Sequence, residues 1–153
     1  MPYEYLKHIK AQNSKLRPEA GTYALLLYNS SIKNITIGKL GKFRFNTGYY
    51  IYIGSAMGPG GIRSRVNRHI KRKKAKRWHI DFLRASAELI EIVCSYGTDR
   101  EECLWASGFH ESVKYYSYPV KGFGSSDCKC CSHLIYSPKK PSFKDLMDEN
   151  YLI

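Results

Sequence analysis

Two short segments with the composition of buried β-strands constrain the fold of this chain most strongly. They read GTYALLLY (21–28) and GYYIYIG (48–54), and both combine aliphatic residues with tyrosines, a composition that favours strands. A third strand-like segment, ITIGKL (35–40), lies between them and is stopped by Gly41. Polar turn residues separate the three segments, and strands joined by short polar turns predict an antiparallel meander.

The spacing of apolar residues changes after the glycine-rich turn GPGG (58–61). Ile62, Val66 and Ile70 are four residues apart, which predicts a helix from Ile62 to about Lys74. Further along, the pattern predicts a helix over KRWHIDFLRA, a strand over ELIEIVCSY, a helix ending near Glu111, a strand at HLIY and a C-terminal helix. Thr98 and Glu101 have the spacing of a capping box for the helix that ends near Glu111.

The order of these elements predicts the fold class and the organisation of the chain. Strands followed by helices, with one later strand, indicate a small α+β domain in which an antiparallel sheet is flanked by helices. We expect this domain over residues 19–137, between a polar N-terminal arm over 1–18 and a C-terminal extension over 138–153. One compact domain also suits the length of 153 residues.

Positive charge is concentrated in one half of the chain. The formal net charge is +12, there is no acidic residue between Glu19 and Asp81, and residues 62–79 contain nine arginines and lysines. Such a field attracts polyanions, so we expect nucleic-acid binding, although a solvated helix face is the simpler alternative. The expected contact residues are Arg63, Arg68, Lys71, Arg72, Lys73, Lys74 and Lys76.

Neither a membrane segment nor a disulfide framework is expected. No segment approaches the roughly 20 apolar residues that cross a membrane, and the N-terminus lacks an apolar signal core. The five cysteines are odd in number and crowded toward one end, unlike the pattern of secreted domains. We therefore expect a cytoplasmic protein without a membrane partner.

Tyrosines on the first and third strand-like segments are candidates for a functional site. Alternation along GYYIYIG places Tyr50 and Tyr52 on one face of the sheet, and Tyr49 on the other. If Tyr23 lies on the same side as Tyr52, the two hydroxyls can meet above the sheet, and glycines at 21 and 54 would leave room for a substrate backbone. Aromatic packing between strands is the alternative explanation.

Arg65 and Glu102 extend this candidate site. Arg65 and His69 lie at the boundary between the apolar stripe and the basic face of the helix that follows, where a guanidinium can bind a phosphate. Glu102 shares a helix face with Trp105 and Phe109, and a carboxylate there is costly unless it is paired or binds a cation such as Mg²⁺. An ordinary surface arginine and a salt-bridged boundary glutamate are the alternatives.

The ordered set of motifs resembles a known family. GTY (21–23) and YIGSAMGPGGIRSRVNRH (52–69) look like the GIY-YIG nuclease superfamily, in which a YIG strand leads to a helix that bears Arg and then His. GKLG, WHIDFL, EC and GFGSSDCKCCSH extend the resemblance to a subgroup of uncharacterised archaeal and bacterial GIY-YIG-like proteins, sometimes fused to endonuclease III-type repair enzymes. The resemblance covers about residues 20–136, and an inserted strand or hairpin would account for the 29 positions between Tyr23 and Tyr52.

The resemblance implies a function and a role for each matching residue. It implies a metal-dependent DNA endonuclease, using Mg²⁺ or Mn²⁺, that hydrolyses phosphodiester bonds in DNA repair or processing. Tyr23 would be the general base or orient water beside Tyr52, Arg65 would stabilise the phosphate, His69 would give a proton to the leaving group and Glu102 would bind the metal. RNA remains an alternative substrate, and a base-excision-repair enzyme is the expected protein partner.

The cysteine-rich segment and three further residues each have more than one possible role. CKCCSH places Cys128, Cys131 and His133 at spacings that zinc ligands use, with Cys94 or Cys103 able to complete a set, or it is a turn with buried thiols. His79, Asp81 and Asp127 would face substrate or stabilise the fold. Two further functions therefore stay open beside the nuclease: a non-catalytic nucleic-acid-binding module and a zinc-stabilised interaction domain.

Overall fold

The computed structural model describes residues 3–9, 13–112, 118–119, 123 and 132–151. The strands are β1 (Tyr3–Leu6), β2 (Gly21–Asn29), β3 (Lys33–Ile37), β4 (Gly41–Phe45), β5 (Gly48–Ala56), β6 (Glu88–Tyr96), β7 (Tyr118–Pro119) and β8 (Leu134–Ser137). The α-helices are α1 (Gly61–Ile70), α2 (His79–Arg84), α3 (Glu102–Ser112) and α4 (Phe143–Tyr151). This confirms the α+β class with an antiparallel sheet flanked by helices.

Six strands form the main sheet in the order β1-β6-β2-β5-β8-β7, and every neighbouring pair is antiparallel. β2 and β5 are direct neighbours, paired from Gly21 opposite Ala56 to Asn29 opposite Gly48. β3 and β4 leave the sheet as a separate two-stranded hairpin. The expected meander is therefore wrong, because the segment between the two tyrosine-bearing strands does not lie between them in space.

The hairpin accounts for the 29 positions between Tyr23 and Tyr52. Its first strand falls on part of ITIGKL, but the second, Gly41–Phe45, is not expected from the sequence. Its lysine, phenylalanine and arginine residues alternate with period two, and this alternation is the signal that identifies a half-buried strand. Ile37 and Phe45 anchor the hairpin to the core, where both are fully or almost fully buried.

The two faces of the main sheet carry separate cores. The α1–α2 face contains a cluster that includes Tyr23, Leu25 and Tyr52, and it is covered by α1, α2 and the hairpin. The α3–α4 face contains a second cluster, in which Ile51 and Phe109 pack with residues of α3 and α4. This division confirms the expected alternation of tyrosines along β5, since Tyr50 and Tyr52 belong to the first cluster and Tyr49 packs against the second.

Both ends of the chain differ from the expected arm and extension. Tyr3–Leu6 is a strand that pairs with β6 at the edge of the sheet, so the first residues are not simply a polar arm. Phe143 and Met147 of α4 are fully buried, so the C-terminal helix is part of the core. None of the helices in the described ranges has the length and apolar character that a membrane crossing requires.

Two helix boundaries also differ from expectation. α1 ends at Ile70 rather than near Lys74, because Arg84 donates hydrogen bonds of 2.9 and 3.0 Å to the carbonyls of His69 and Ile70 and so closes its last turn. α3 begins at Glu102, too late for Thr98 to cap it, so the expected capping box does not form.

Candidate active site

Tyr23 and Tyr52 lie on the same face of the sheet, as expected. Tyr23 is opposite Gly54 and Leu25 is opposite Tyr52, so the two tyrosines are diagonal neighbours on adjacent strands. Their burial differs, since Tyr23 is 1% exposed and Tyr52 is 9% exposed. Tyr52 lines an open cleft, whereas Tyr23 lies behind it.

Gly54 accommodates the Tyr23 side chain. A Cβ atom at Gly54 would lie 2.5 Å from the Tyr23 hydroxyl oxygen and 2.6 Å from Cζ. A Cβ atom at Gly21 would overlap the Ser95 carbonyl oxygen. The protein itself therefore fills the space that a side chain at either glycine would take. The expected room for a substrate backbone is absent at Gly21, whereas Gly54 lines the cleft and the expectation there stays a prediction.

His69 is the partner of the Tyr23 hydroxyl. The Tyr23 oxygen and His69 Nε2 are 2.6 Å apart, and His69 is fully buried. Burial lowers the pKa of His69 to about 3, against an opposing effect of Asp81, so the ring is neutral at physiological pH. His69 does not line the cleft. This position differs from the one that proton donation to a leaving group in the cleft would need.

The tyrosine hydroxyls keep their protons at neutral pH. Burial raises the pKa of Tyr23 well above its usual value, although the charge and a hydrogen bond from Arg65 oppose the shift. Burial also raises the pKa of Tyr52 to about 12, again against Arg65. The charge of Arg65, which favours a tyrosinate, is thus outweighed by desolvation at both tyrosines. Tyr52, which lines the cleft, can orient water through a neutral hydrogen bond.

An open cleft of about 620 Å³ brings together three of the expected residues: Tyr52, Arg65 and Glu102. Met57, Arg77, Trp78, His79, Arg100, Cys103 and His133 also line it. Three guanidinium groups and one carboxylate are therefore among the described lining residues. That balance suits a polyanionic ligand.

Arg65 is held in place by three contacts. Its Nη1 donates to the Ser55 carbonyl at 3.1 Å, and its guanidinium lies 4.4 Å from the centre of the Trp78 ring. The third contact is its hydrogen bond to the Tyr23 hydroxyl. The remaining N–H donors of this planar group are available for a ligand in the cleft.

Arg68 and Arg63 have structural partners. Arg68 makes two hydrogen bonds, of 2.8 and 2.9 Å, to the fully buried carboxylate of Asp81, and Arg63 donates to the Leu16 carbonyl at 2.8 Å. The Arg68 pair, with two backbone N–H donors to Asp81, lowers the pKa of that carboxyl group against the effect of burial. The Arg68 guanidinium is thus held by Asp81, and this ion pair stabilises the fold.

The dense basic run lies on a loop. Residues 71–76 follow the end of α1, and all of them except Lys74 are exposed. Lys74 donates to the Lys71 carbonyl, and burial lowers its pKa to about 8. We call residues 71–77 the basic loop. Its side chains extend from one rim of the cleft, where Arg77 and Trp78 lie.

Glu102 fits a divalent cation. Its Oε2 atom is buried and has no hydrogen-bond partner within the described part of the chain. An unpaired buried carboxylate oxygen is costly, and a bound cation would remove that cost. Within the described ranges no three His, Cys, Asp or Glu side chains converge on one point, so Mg²⁺ at Glu102 would take its other ligands from phosphate and water.

The expected zinc ligands are only partly described. Cys128 and Cys131 lie outside the described residues, as does Asp127. His133 is buried at the cleft, and its Nε2 is 3.6 Å from the sulfur of Cys103. His79 also lines the cleft and packs edge-on against Phe123, with ring centres 5.5 Å apart.

Arg77, Trp78 and Arg100 line the cleft, and none of them is expected from the sequence. Arg77 and Trp78 stand directly after the residues assigned to nucleic-acid binding, so extending the basic run to its end would have included Arg77. Arg100 lies in the loop two positions before Glu102, and nothing in the sequence around it indicates a site residue.

The comparisons with known proteins identify a family without a described function. The model of the family described as domain of unknown function DUF123 matches residues 22–152, and the chain therefore belongs to this family. No curated protein matches the chain. No solved structure matches it either.

Proposed function

We propose that this DUF123 member is a metal-dependent endonuclease that hydrolyses phosphodiester bonds in DNA, with chemistry of the GIY-YIG type. The observation that carries the proposal is the convergence of Tyr52, Arg65 and Glu102 in one open cleft, with an unpartnered Glu102 oxygen. Phosphodiester hydrolysis needs an oriented water, charge stabilisation on the phosphate and help for the leaving oxygen. The cleft offers a group for the first two of these needs.

Each residue has a role that its position supports. Arg65 binds the phosphate in the cleft, and its contacts with Ser55 and Trp78 fix its orientation before substrate arrives. Glu102 holds Mg²⁺ or Mn²⁺, which when bound polarises a phosphoryl oxygen. Tyr52 orients the attacking water from the cleft wall.

Tyr23 and neutral His69 form a buried hydrogen-bonded pair behind this wall. The 2.6 Å contact fixes both rings, and His69 packs edge-on against Tyr52 with ring centres 5.9 Å apart. Burial disfavours both a tyrosinate and an imidazolium, so the pair positions Tyr52 and does not take a proton from water. This role replaces proton donation to the leaving group as the function of His69.

The test is cleavage of labelled linear, nicked and branched DNA with Mg²⁺ or Mn²⁺, before and after chelation. Loss of one preorganised electrostatic group costs about 10²–10³-fold in rate, which we expect for Arg65→Ala and Glu102→Gln. Glu101→Gln is the matched control, because Glu101 is the neighbouring carboxylate and does not line the cleft. Thermal unfolding reports whether each variant is folded. Full activity of folded Glu102→Gln, or no cleavage of any substrate, contradicts the proposal.

A non-catalytic nucleic-acid-binding module is the second candidate. The near-complete burial of Tyr23 favours it, since a group that assists an attacking water must come close to that water. A binding module would keep its DNA affinity after chelation and in Glu102→Gln, and would lose it when residues 71–74 are neutralised. Binding with these properties, without cleavage, selects this candidate.

The remaining expectations stay predictions. Two of the zinc ligands lie outside the described residues, so the zinc-stabilised domain is best tested by elemental analysis of the purified protein. The repair-enzyme partner and the cytoplasmic location have no further support.

A further inference from the structure

The β3–β4 hairpin presents a polar, basic face that the proposed chemistry does not use. Its outward residues are Asn34, Thr36, Lys42 and Arg44, all exposed, and register pairs Asn34 with Arg44 and Thr36 with Lys42. These four side chains therefore form a compact patch, which we call the ribbon patch. None of them makes an ion pair or a side-chain hydrogen bond with any other described residue.

The opposite face of the hairpin is fixed to the core. Ile37 and Phe45 are buried, and Ile35 and Phe43 pack against the same cluster. The Asn29 side chain also donates to the Phe45 carbonyl at 3.2 Å and closes the base of the hairpin. A two-stranded ribbon alone is marginally stable, but this anchoring makes the ribbon patch a rigid surface.

The hairpin is connected to the cleft through aromatic contacts. Phe123 lies 6.5 Å from Phe45 of the hairpin and 6.3 Å from Tyr52 of the cleft, measured between ring centres. At the hairpin tip, Gly38 lies against the Phe82 ring, which Lys76 of the basic loop also approaches. The ribbon patch therefore has a fixed position relative to the cleft, next to the basic loop.

Charge favours a nucleic acid as the occupant of the ribbon patch. The hairpin belongs to the stretch between Glu19 and Asp81 that contains no acidic residue. Its side chains are also of the types that read base edges, since Arg and Lys pair with guanine, Asn pairs with adenine and Thr contacts the thymine methyl group.

The shape of the hairpin selects one form of nucleic acid. A two-stranded β-ribbon fits the major groove of B-DNA, which is about 12 Å wide. The major groove of A-form RNA is deep and narrow, and protein side chains cannot read it. We propose that the β3–β4 hairpin docks in the major groove of duplex DNA beside the site where the cleft acts. The position of the hairpin beside a cleavage site rests on the proposed function. The docking of the hairpin on DNA does not.

The test measures binding without cleavage, in chelator, to a labelled duplex DNA, the matching RNA duplex and the single strand. The variant Lys42→Gln/Arg44→Gln removes two charges from the ribbon patch. The control Lys139→Gln/Lys144→Gln removes two exposed charges, one of them on α4 across the sheet. We expect about a tenfold loss of duplex DNA affinity in the first variant only, with a salt slope smaller by about 1 for each phosphate that the variant no longer neutralises.

A second measurement identifies the groove. Replacing purines with 7-deaza purines removes the N7 acceptor from the major groove, and we expect this to weaken wild-type binding but not to weaken Asn34→Ala/Arg44→Ala further. Equal losses in the ribbon and control variants, equal affinity for DNA and RNA duplexes, or no effect of the 7-deaza purines would overturn the proposal. Because none of these readouts needs cleavage, a protein that binds in this way but never cuts contradicts only the nuclease proposal.

Discussion

The two faces of the main sheet are built from different chemistry. The α3–α4 face buries a cluster of apolar side chains, among them Trp105, Phe109 and Phe143, with Glu91 at its margin. The α1–α2 face buries His69, Asp81 and the Tyr23 hydroxyl within its core. Buried polar groups cost stability unless each has a partner. The comparison therefore separates an apolar core, beside which α3 presents Glu102 to the cleft, from a core that itself contains polar groups next to the site.

The largest expected effects come from one matched deletion on each face. Asp81→Ala leaves the Arg68 guanidinium without its carboxylate and should destabilise the protein by about 3–5 kcal/mol. Phe109→Ala leaves a cavity of similar cost, about 3–5 kcal/mol. Chemical denaturation measures both, with Asp145→Ala on the exposed side of α4 as the control. A near-neutral Asp81→Ala would show that the polar network of the α1–α2 face contributes little to stability.

Gly54→Ala should damage the α1–α2 face alone. The added methyl group would overlap the Tyr23 hydroxyl, which is buried and has little space to move, at a cost of about 1–3 kcal/mol. We also expect the Tyr23–His69 hydrogen bond to break and cleavage to fall. Gly58→Ala is the control for stability alone, since nothing lies within 4 Å of its Cβ position but Gly58 lines the cleft. Equal stability of the two variants would contradict the packing of Tyr23 described above.

The α1–α2 face should also give stability a pH dependence through His69. The unfolded histidine takes up a proton below its ordinary pKa of about 6.5, but the folded one does so only near pH 3, so protonation favours unfolding in this interval. Stability should fall by about 2 kcal/mol between pH 6.5 and 5 as a result. His69→Gln should lose this dependence, whereas Phe109→Ala should retain it. Parallel stability curves for wild type and His69→Gln would refute the neutral buried state of His69.

The smallest expected effect concerns the cleft rim. Arg77→Gln and Arg100→Gln should each reduce the salt dependence of DNA binding by about one unit of slope, because each removes one phosphate contact. Stability should not change, since both residues are exposed. Fluorescence anisotropy across a salt series measures the slope, and Lys144→Gln is the control. Unchanged slopes in both arginine variants would place the DNA path elsewhere.

The sequence predicts most helices and strands. It also predicts which side chains share a face where the spacing of residues follows the period of a strand or a helix. Alternation along β5 places Tyr50 and Tyr52 correctly on one face, and helical spacing identifies α1. The register of β2 against β5 places Tyr23 opposite Gly54. That register depends on the β3–β4 hairpin, and the second strand of the hairpin is not expected from the sequence. Long-range pairing of this kind is set by tertiary packing and has no local signal.

The site could be predicted in part. The cleft unites Tyr52, Arg65 and Glu102, which motif order alone associates with one site. Burial decides the rest, because the same sequence pattern is compatible with an open or a buried His69, and with a free or a paired Arg68. Desolvation also outweighs the effect of the Arg65 charge on the pKa of both tyrosine hydroxyls. These outcomes depend on the whole fold around each side chain.

The Arg84 side chain has a consequence for how this protein could be cut and rejoined. It is 7% exposed, it bonds the last carbonyls of α1, and it also donates to the Ala87 carbonyl at 2.8 Å just after α2. α1 and α2 are thereby clamped together by a side chain outside the basic loop, although Arg72 and the Arg77 N–H of the loop add hydrogen bonds to Ala87 and Asp81. A trypsin nick within that loop should leave two fragments that stay associated, so the loop can be opened or exchanged while Arg65 keeps its distance from Trp78.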